Sequence, residues 1–81
     1  MLENIFFVYI LKLSNNKHYI GLTQNLPRRM LQHSHGRSKS TRNHLPFKLL
    51  WYDITPTRSN AREYEVFLKN RGAKRFLTKQ I

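Results

Sequence analysis

The feature that most constrains this chain is the run IFFVYILKL, residues 5 to 13, apolar at almost every position and rich in β-branched and aromatic side chains. Side chains alternate between the two faces of a strand, so a run without polar alternation is a strand covered on both faces. A chain of 81 residues hides only about 60% of the surface that its unfolded form exposes, so its core is modest and one such strand decides the architecture. The run therefore belongs at the centre of a sheet, and the rest of the chain has to cover it. The length allows one domain, residues 1–81.

Ser14, Asn15 and Asn16 supply turn chemistry, because asparagine tolerates positive φ, and Lys17 to Thr23 then resumes an extended pattern. Together these predict a β-hairpin. Cross-strand partners share a face, so the loop length sets where the tyrosines point. A two-residue loop would pair Lys12 with Tyr19 and separate Tyr9 from Tyr19. A three-residue loop, or one bulge, would pair Leu13 with Tyr19 and put both phenols on one face.

Asn25 is a good N-cap and Pro27 is tolerated in a first turn, which predicts a helix to about His35 with Leu26, Met30 and Leu31 on its apolar side. Gly36 ends it. The polar, basic stretch RSKSTRNHLP leads to LLWYDIT, a third apolar strand. Asn60 and Glu63 are spaced as a capping box, opening a helix to about Asn70 with Ala61, Tyr64, Phe67 and Leu68 inward. Gly72 breaks that helix, and AKRFLTKQI forms a short last one with Phe76 and Leu77 inward.

Fifteen Lys and Arg against four acidic residues give a formal charge of +11, an imbalance that self-repulsion makes costly unless the partner is a polyanion. Nucleic acid is preferred to a membrane surface. The basic residues do not form one face of a long amphipathic helix, and no apolar run approaches the roughly 20 residues that span a bilayer. The N-terminus MLENIFFVYIL lacks the basic start and small-residue cleavage site of a secretory signal, and there is no cysteine, so the expected setting is the cytoplasm.

Only Glu3, Asp53, Glu63 and Glu65 offer a carboxylate to a hard divalent cation. Glu63 has its capping role, Glu3 is near a terminus and Asp53 is in a strand. Glu65 lies beside the apolar positions Ala61 and Leu68, so it is expected at the edge of the buried face, either paired with Lys69 at i+4 or holding a metal. Arg29 and His33, four apart, stack on one helix face. An arginine fork suits phosphate oxygens and a histidine suits proton transfer, although a solvated arginine and a surface histidine are the plain alternatives. From periodicity alone Tyr9 and Tyr19 read first as core aromatics, and Gly21 marks a bulge or a close backbone approach.

As a set, Tyr9 in FVY, YIG at Tyr19 to Gly21, Arg29 and His33 in YIGLTQNLPRRMLQH, and Glu65 on a later helix resemble the GIY-YIG nuclease family. STRNHLPFKLLWYD and AREYEVFLK are similar to its small stand-alone bacterial members, and the likeness covers nearly the whole chain. The first motif departs from the pattern, reading Phe7, Val8, Tyr9 where the family has Gly, Ile, Tyr. The resemblance implies an α/β (α+β) fold, a three-stranded antiparallel sheet flanked by about three helices. It also implies metal-assisted endonucleolytic hydrolysis of a phosphodiester in DNA, in repair or in processing of structured DNA.

In that scheme Glu65 holds one Mg²⁺ or Mn²⁺ and Arg29 stabilises the transition state. Tyr9 or Tyr19 activates the attacking water while the other positions phosphate, and His33 supports proton transfer or binding. A phenol with a pKa near 10 is a poor base at neutral pH, so nearby positive charge from Arg29, His33 and the metal is expected to favour the phenolate. Larger members also use a polar residue late in the domain, a place for Asn70 or Lys69. Arg28, Lys39, Arg42, His44 and Lys69 are the expected nucleic-acid contacts. The expected partner is branched or damaged DNA, with RNA a weaker substrate and a further protein supplying specificity. The alternative is a non-catalytic nucleic-acid-binding module with this fold, for which the net charge, the RSKSTRNH loop and Trp51 suffice through phosphate contacts and stacking.

Overall fold

The computed structural model describes residues 5–79, so Glu3 lies outside the described part. The three strands β1 (Phe6–Lys12), β2 (His18–Thr23) and β3 (Lys48–Thr55) form an antiparallel sheet in the order β2-β1-β3. The doubly apolar run is thus the central strand, as its composition requires. Helix α1 (Leu26–Ser34) follows β2, and α2 (Arg58–Arg71) and α3 (Ala73–Thr78) follow β3.

The two faces of β1 feed two cores. Phe6, Val8 and Ile10 pack with Ala61, Leu68, Ala73 and Phe76 from α2 and α3. Tyr9, Leu11 and Leu13 pack with Leu26 on the α1 side, where Tyr19, Met30 and Phe47 add partly buried surface. Covering one strand from both sides gives a short chain the most apolar burial per residue, roughly 25 cal/mol per Å².

The hairpin turn has the predicted odd parity, but its register differs by two residues. Leu13 N–H bonds to Lys17 carbonyl, so Ser14, Asn15 and Asn16 form the loop, with Asn16 at φ 68°. Tyr19 is therefore opposite Leu11, not Leu13, and Gly21 is opposite Tyr9. Tyr9, Tyr19 and Gly21 consequently share the α1 face. The pairing with β3 has a bulge between Ile10 and Leu11, and Leu49, Leu50, Tyr52 and Ile54 are exposed on this edge strand, more open than the predicted apolar strand suggests.

Helix α1 begins as expected, with the Asn25 side chain accepting from Arg28 N–H at 3.1 Å. Leu31 is exposed, and the buried row is Leu26 and His33, seven apart, with Met30 partly buried between them. Helix α2 starts earlier than predicted. Thr57 is its N-cap, accepting from Asn60 N–H at 3.0 Å, so Asn60 is inside the helix and Glu63 is not part of a capping box. Ala61 and Leu68 face in and Tyr64 is partly buried, but Phe67 is about half exposed.

Candidate active site

The register and the helix face together build the site. Tyr9 comes from the central strand and is 1% exposed, and Tyr19 comes from its neighbour. Their ring centroids are 6.3 Å apart. Gly21 keeps this packing open, for a Cβ there would lie 2.5 Å from Tyr9 Oη and 3.0 Å from Tyr19 Cε2. The glycine is thus a close approach of side chains over the strand, and the bulge alternative does not apply here.

From α1, Arg29 donates to Gln32 Oε1 at 3.0 Å and stands close enough to Tyr9 and Tyr19 to interact with both. Burial alone would weaken its cationic form, but the interactions with Tyr9 and Tyr19 outweigh burial and raise its pKa. One turn on, His33 is fully buried among Tyr9, Tyr19 and Phe47, with ring centroids at 5.9, 5.4 and 5.9 Å. Its Nε2 lies 2.9 Å from Tyr9 Oη and its Nδ1 lies 2.8 Å from Thr41 Oγ1.

These surroundings reverse two electrostatic expectations. Burial, then the Arg29 charge, lowers the His33 pKa to about 4, so at neutral pH the imidazole is uncharged and adds no positive field. Burial likewise pushes Tyr9 up to about 12, the nearby Arg29 opposing it, with the charges of Tyr19 and Glu65 raising it further. The phenolate is disfavoured in the unliganded protein. Desolvation wins because both groups are deep in a small core, where one cation cannot replace the water that has been removed.

Glu65 is where the helix period places it, at the rim of the buried face with its side chain 13% exposed. Its Oε2 is 3.2 Å from Lys69 Nζ and its Oε1 is 3.9 Å from Arg62 Nη1. It lines an open cleft of about 640 Å³ with Tyr19, Leu22, Arg58, Ser59, Arg62 and Glu63. The influence of Glu65 on Tyr9 places its charge within electrostatic reach of the phenols. The structure thus brings Tyr9, Tyr19, Arg29 and His33 into one connected group with Glu65 beside it.

The predicted nucleic-acid contacts are more scattered. Arg28 is exposed and lines a shallow groove with Thr23, Asn25, Arg29 and Gln32, next to the site. Lys39 and Arg42 are exposed in the loop after α1. His44 is partly buried, its carbonyl accepting from Ser14 N–H at 2.9 Å, and Lys69 is engaged by Glu65. Asp53 accepts from the Tyr64 hydroxyl at 3.2 Å, which gives that carboxylate a structural role.

Three contributors were not legible beforehand. Thr41 was one polar residue in a polar loop, and Arg58 and Arg62 were two arginines among many. Arg62 had one signal, its place three residues before Glu65 on the same helix.

A family model described as the GIY-YIG catalytic domain matches residues 5–79. Among curated proteins, the chain is 37% identical over 68 residues to a UPF0213 protein of Nitratidesulfovibrio vulgaris, covering 83% of this chain and 62% of that protein. It is 37% identical over 70 residues to a UPF0213 protein of Photorhabdus laumondii, covering 85% of this chain and 67% of the relative. The chain therefore spans less than two thirds of the first relative's length. Among solved structures, the solution NMR structure of the UPF0213 protein BH0048 from Bacillus halodurans is similar, with a TM-score of 0.60 and 29% identity, covering 94% of this chain and 84% of that one.

Proposed function

This chain belongs to the GIY-YIG family of catalytic domains, and we propose that it is an endonuclease that hydrolyses phosphodiester bonds in DNA with one divalent metal ion. The observation that carries the proposal is the connected group of Tyr9, Tyr19, Arg29 and His33, with Glu65 lining the same cleft as Tyr19. A chain of charge +11 supports a polyanionic substrate.

Arg29 is the phosphate clamp, because its planar fork can hold two phosphate oxygens and offset charge that develops in the transition state. In the unliganded protein that fork lies beside the phenols and donates to Gln32. Substrate phosphate competes for it, drawing the guanidinium off Tyr9 and opening the buried phenol to water. Tyr9 must lose its own proton before it can take one from water, and His33 Nε2 stands 2.9 Å away to receive it. Neutral His33 can accept, whereas an imidazolium could not. Tyr19, which lines the cleft, positions the phosphate.

The metal fit rests on Glu65. Among the described residues no three His, Asp or Glu side chains gather into a cage. One carboxylate can serve Mg²⁺ or Mn²⁺, which keep several waters and take phosphate oxygens as further ligands, and the ion would displace Lys69 and Arg62 from the Glu65 oxygens. Glu65 would hold the ion, which when bound polarises the phosphate and steadies the leaving oxygen.

The test incubates purified protein with plain, nicked and branched duplex DNA and with RNA, in Mg²⁺, Mn²⁺ or EDTA, beside Arg29→Ala and Glu65→Gln. Metal-dependent cutting that drops by roughly 100-fold or more in each variant is expected. Cutting that persists in both variants rejects the site. Preference for branched or damaged DNA over plain duplex would support a role in repair, and binding without cutting, weakening steeply with salt, would point to a binding module.

A further inference from the structure

His33 is held at both ring nitrogens, by Tyr9 on one side and Thr41 on the other, and all three residues are buried. Thr41 belongs to the basic loop, where its neighbours Ser40 and Arg42 are exposed while it is fully buried. The turn is built around it. Thr41 N–H and Arg42 N–H both bond to Ser38 carbonyl, and His44 N–H bonds to Thr41 carbonyl, at 3.2, 2.9 and 2.9 Å.

A neutral imidazole has one N–H, so it accepts at one nitrogen and donates at the other. Either Tyr9 donates to Nε2 and Nδ1–H donates to Thr41, or Thr41 donates to Nδ1 and Nε2–H donates to Tyr9. A phenol is a stronger acid than an aliphatic alcohol, hence the better donor and the poorer acceptor, which favours the first arrangement.

We propose that Thr41 is a positioning residue of the site, which accepts from His33 Nδ1–H and so holds the unprotonated Nε2 against the Tyr9 hydroxyl. Its use in hydrolysis rests on the nuclease proposal; the tautomer itself does not. In the step, water gives a proton to Tyr9 oxygen as the Tyr9 O–H proton passes to Nε2. The hydroxide adds to phosphorus, the bond to the leaving oxygen breaks, and that oxygen takes a proton from solvent. His33 ends as imidazolium with Nδ1–H still on Thr41, and returns its proton to solvent after product leaves.

The deciding experiment is long-range ¹H–¹⁵N NMR of the histidine rings in the unliganded protein at neutral pH, for the parent, Thr41→Val and Thr41→Ser. Expected is a protonated Nδ1 and bare Nε2 on His33 in the parent and in Thr41→Ser, with Nε2–H gaining population in Thr41→Val. The valine variant should cut roughly tenfold slower at unchanged KM, the effect of one hydrogen bond, and serine should restore the rate. A parent proton on Nε2, a valine variant with the parent tautomer, or a folded serine variant that behaves as valine does would overturn the proposal. The spectra decide the tautomer even if no nucleic acid is cut. If Thr41→Val fails to fold, the parent and serine spectra decide it.

Discussion

Adding one methyl group at Gly21 tests the packing on which the site depends. The new Cβ would lie 2.5 Å from Tyr9 Oη and 2.6 Å from Tyr9 Cζ, where ordinary contact begins near 3.4 Å. Tyr9 would have to retreat by roughly 1 Å to relieve the overlap. It cannot retreat freely, because it is 1% exposed and its hydroxyl is bonded to a histidine that is itself fully buried. Overpacking of this kind costs about 1–3 kcal/mol, and a broken buried hydrogen bond adds about 1 kcal/mol. Gly21→Ala should therefore lose about 2–4 kcal/mol in urea unfolding, with a thermal midpoint lower by roughly 10 °C or more. Tyr9→Phe in the same background should recover only part of this, since Cζ still collides. A Gly21→Ala protein within about 0.5 kcal/mol of the parent, with the Tyr9–His33 contact intact by NMR, would refute the reasoning.

Three further outcomes follow from the same geometry. The His33 pKa is about 4 in the folded protein against an ordinary value near 6.5, so its stabilising effect is complete above pH 6.5 and is lost as pH falls toward 4, by about 3 kcal/mol. His18, lowered by burial and by Lys12 and Lys74, acts in the same direction, so urea melts of His33→Gln beside the parent from pH 7 to 4 isolate the His33 part. Thr57→Ala should cost about 0.5–2 kcal/mol while Asn60→Ala costs little, because Thr57 and not Asn60 caps α2; equal losses in urea melts would contradict this. Glu65→Gln should leave stability within about 0.5 kcal/mol, since its pairs with Lys69 and Arg62 are of the surface kind, while metal-dependent cutting falls by roughly 100-fold or more in the gel assay.

Sequence by itself determined the central strand, because IFFVYILKL has no polar face, and with it a sheet that needs cover on both sides. It also placed Asn25 at a helix start, Arg29 and His33 on one helical face, and Glu65 at the edge of a buried stripe. These are properties of period 2 and period 3.6, which neighbouring residues impose on one another. Capping was less legible, as Thr57 and Asn60 both have suitable side chains and only the path of the chain out of β3 selects one. What only the tertiary structure decided is charge and connection. The exact pairing of Leu11 with Tyr19, the burial of His33 between three rings, and the reach of Thr41 across eight positions join segments that share no period. Removing water from His33 and Tyr9 turned an expected cationic pair and a ready phenolate into a neutral imidazole and a neutral phenol, because desolvation depends on what surrounds a side chain in space.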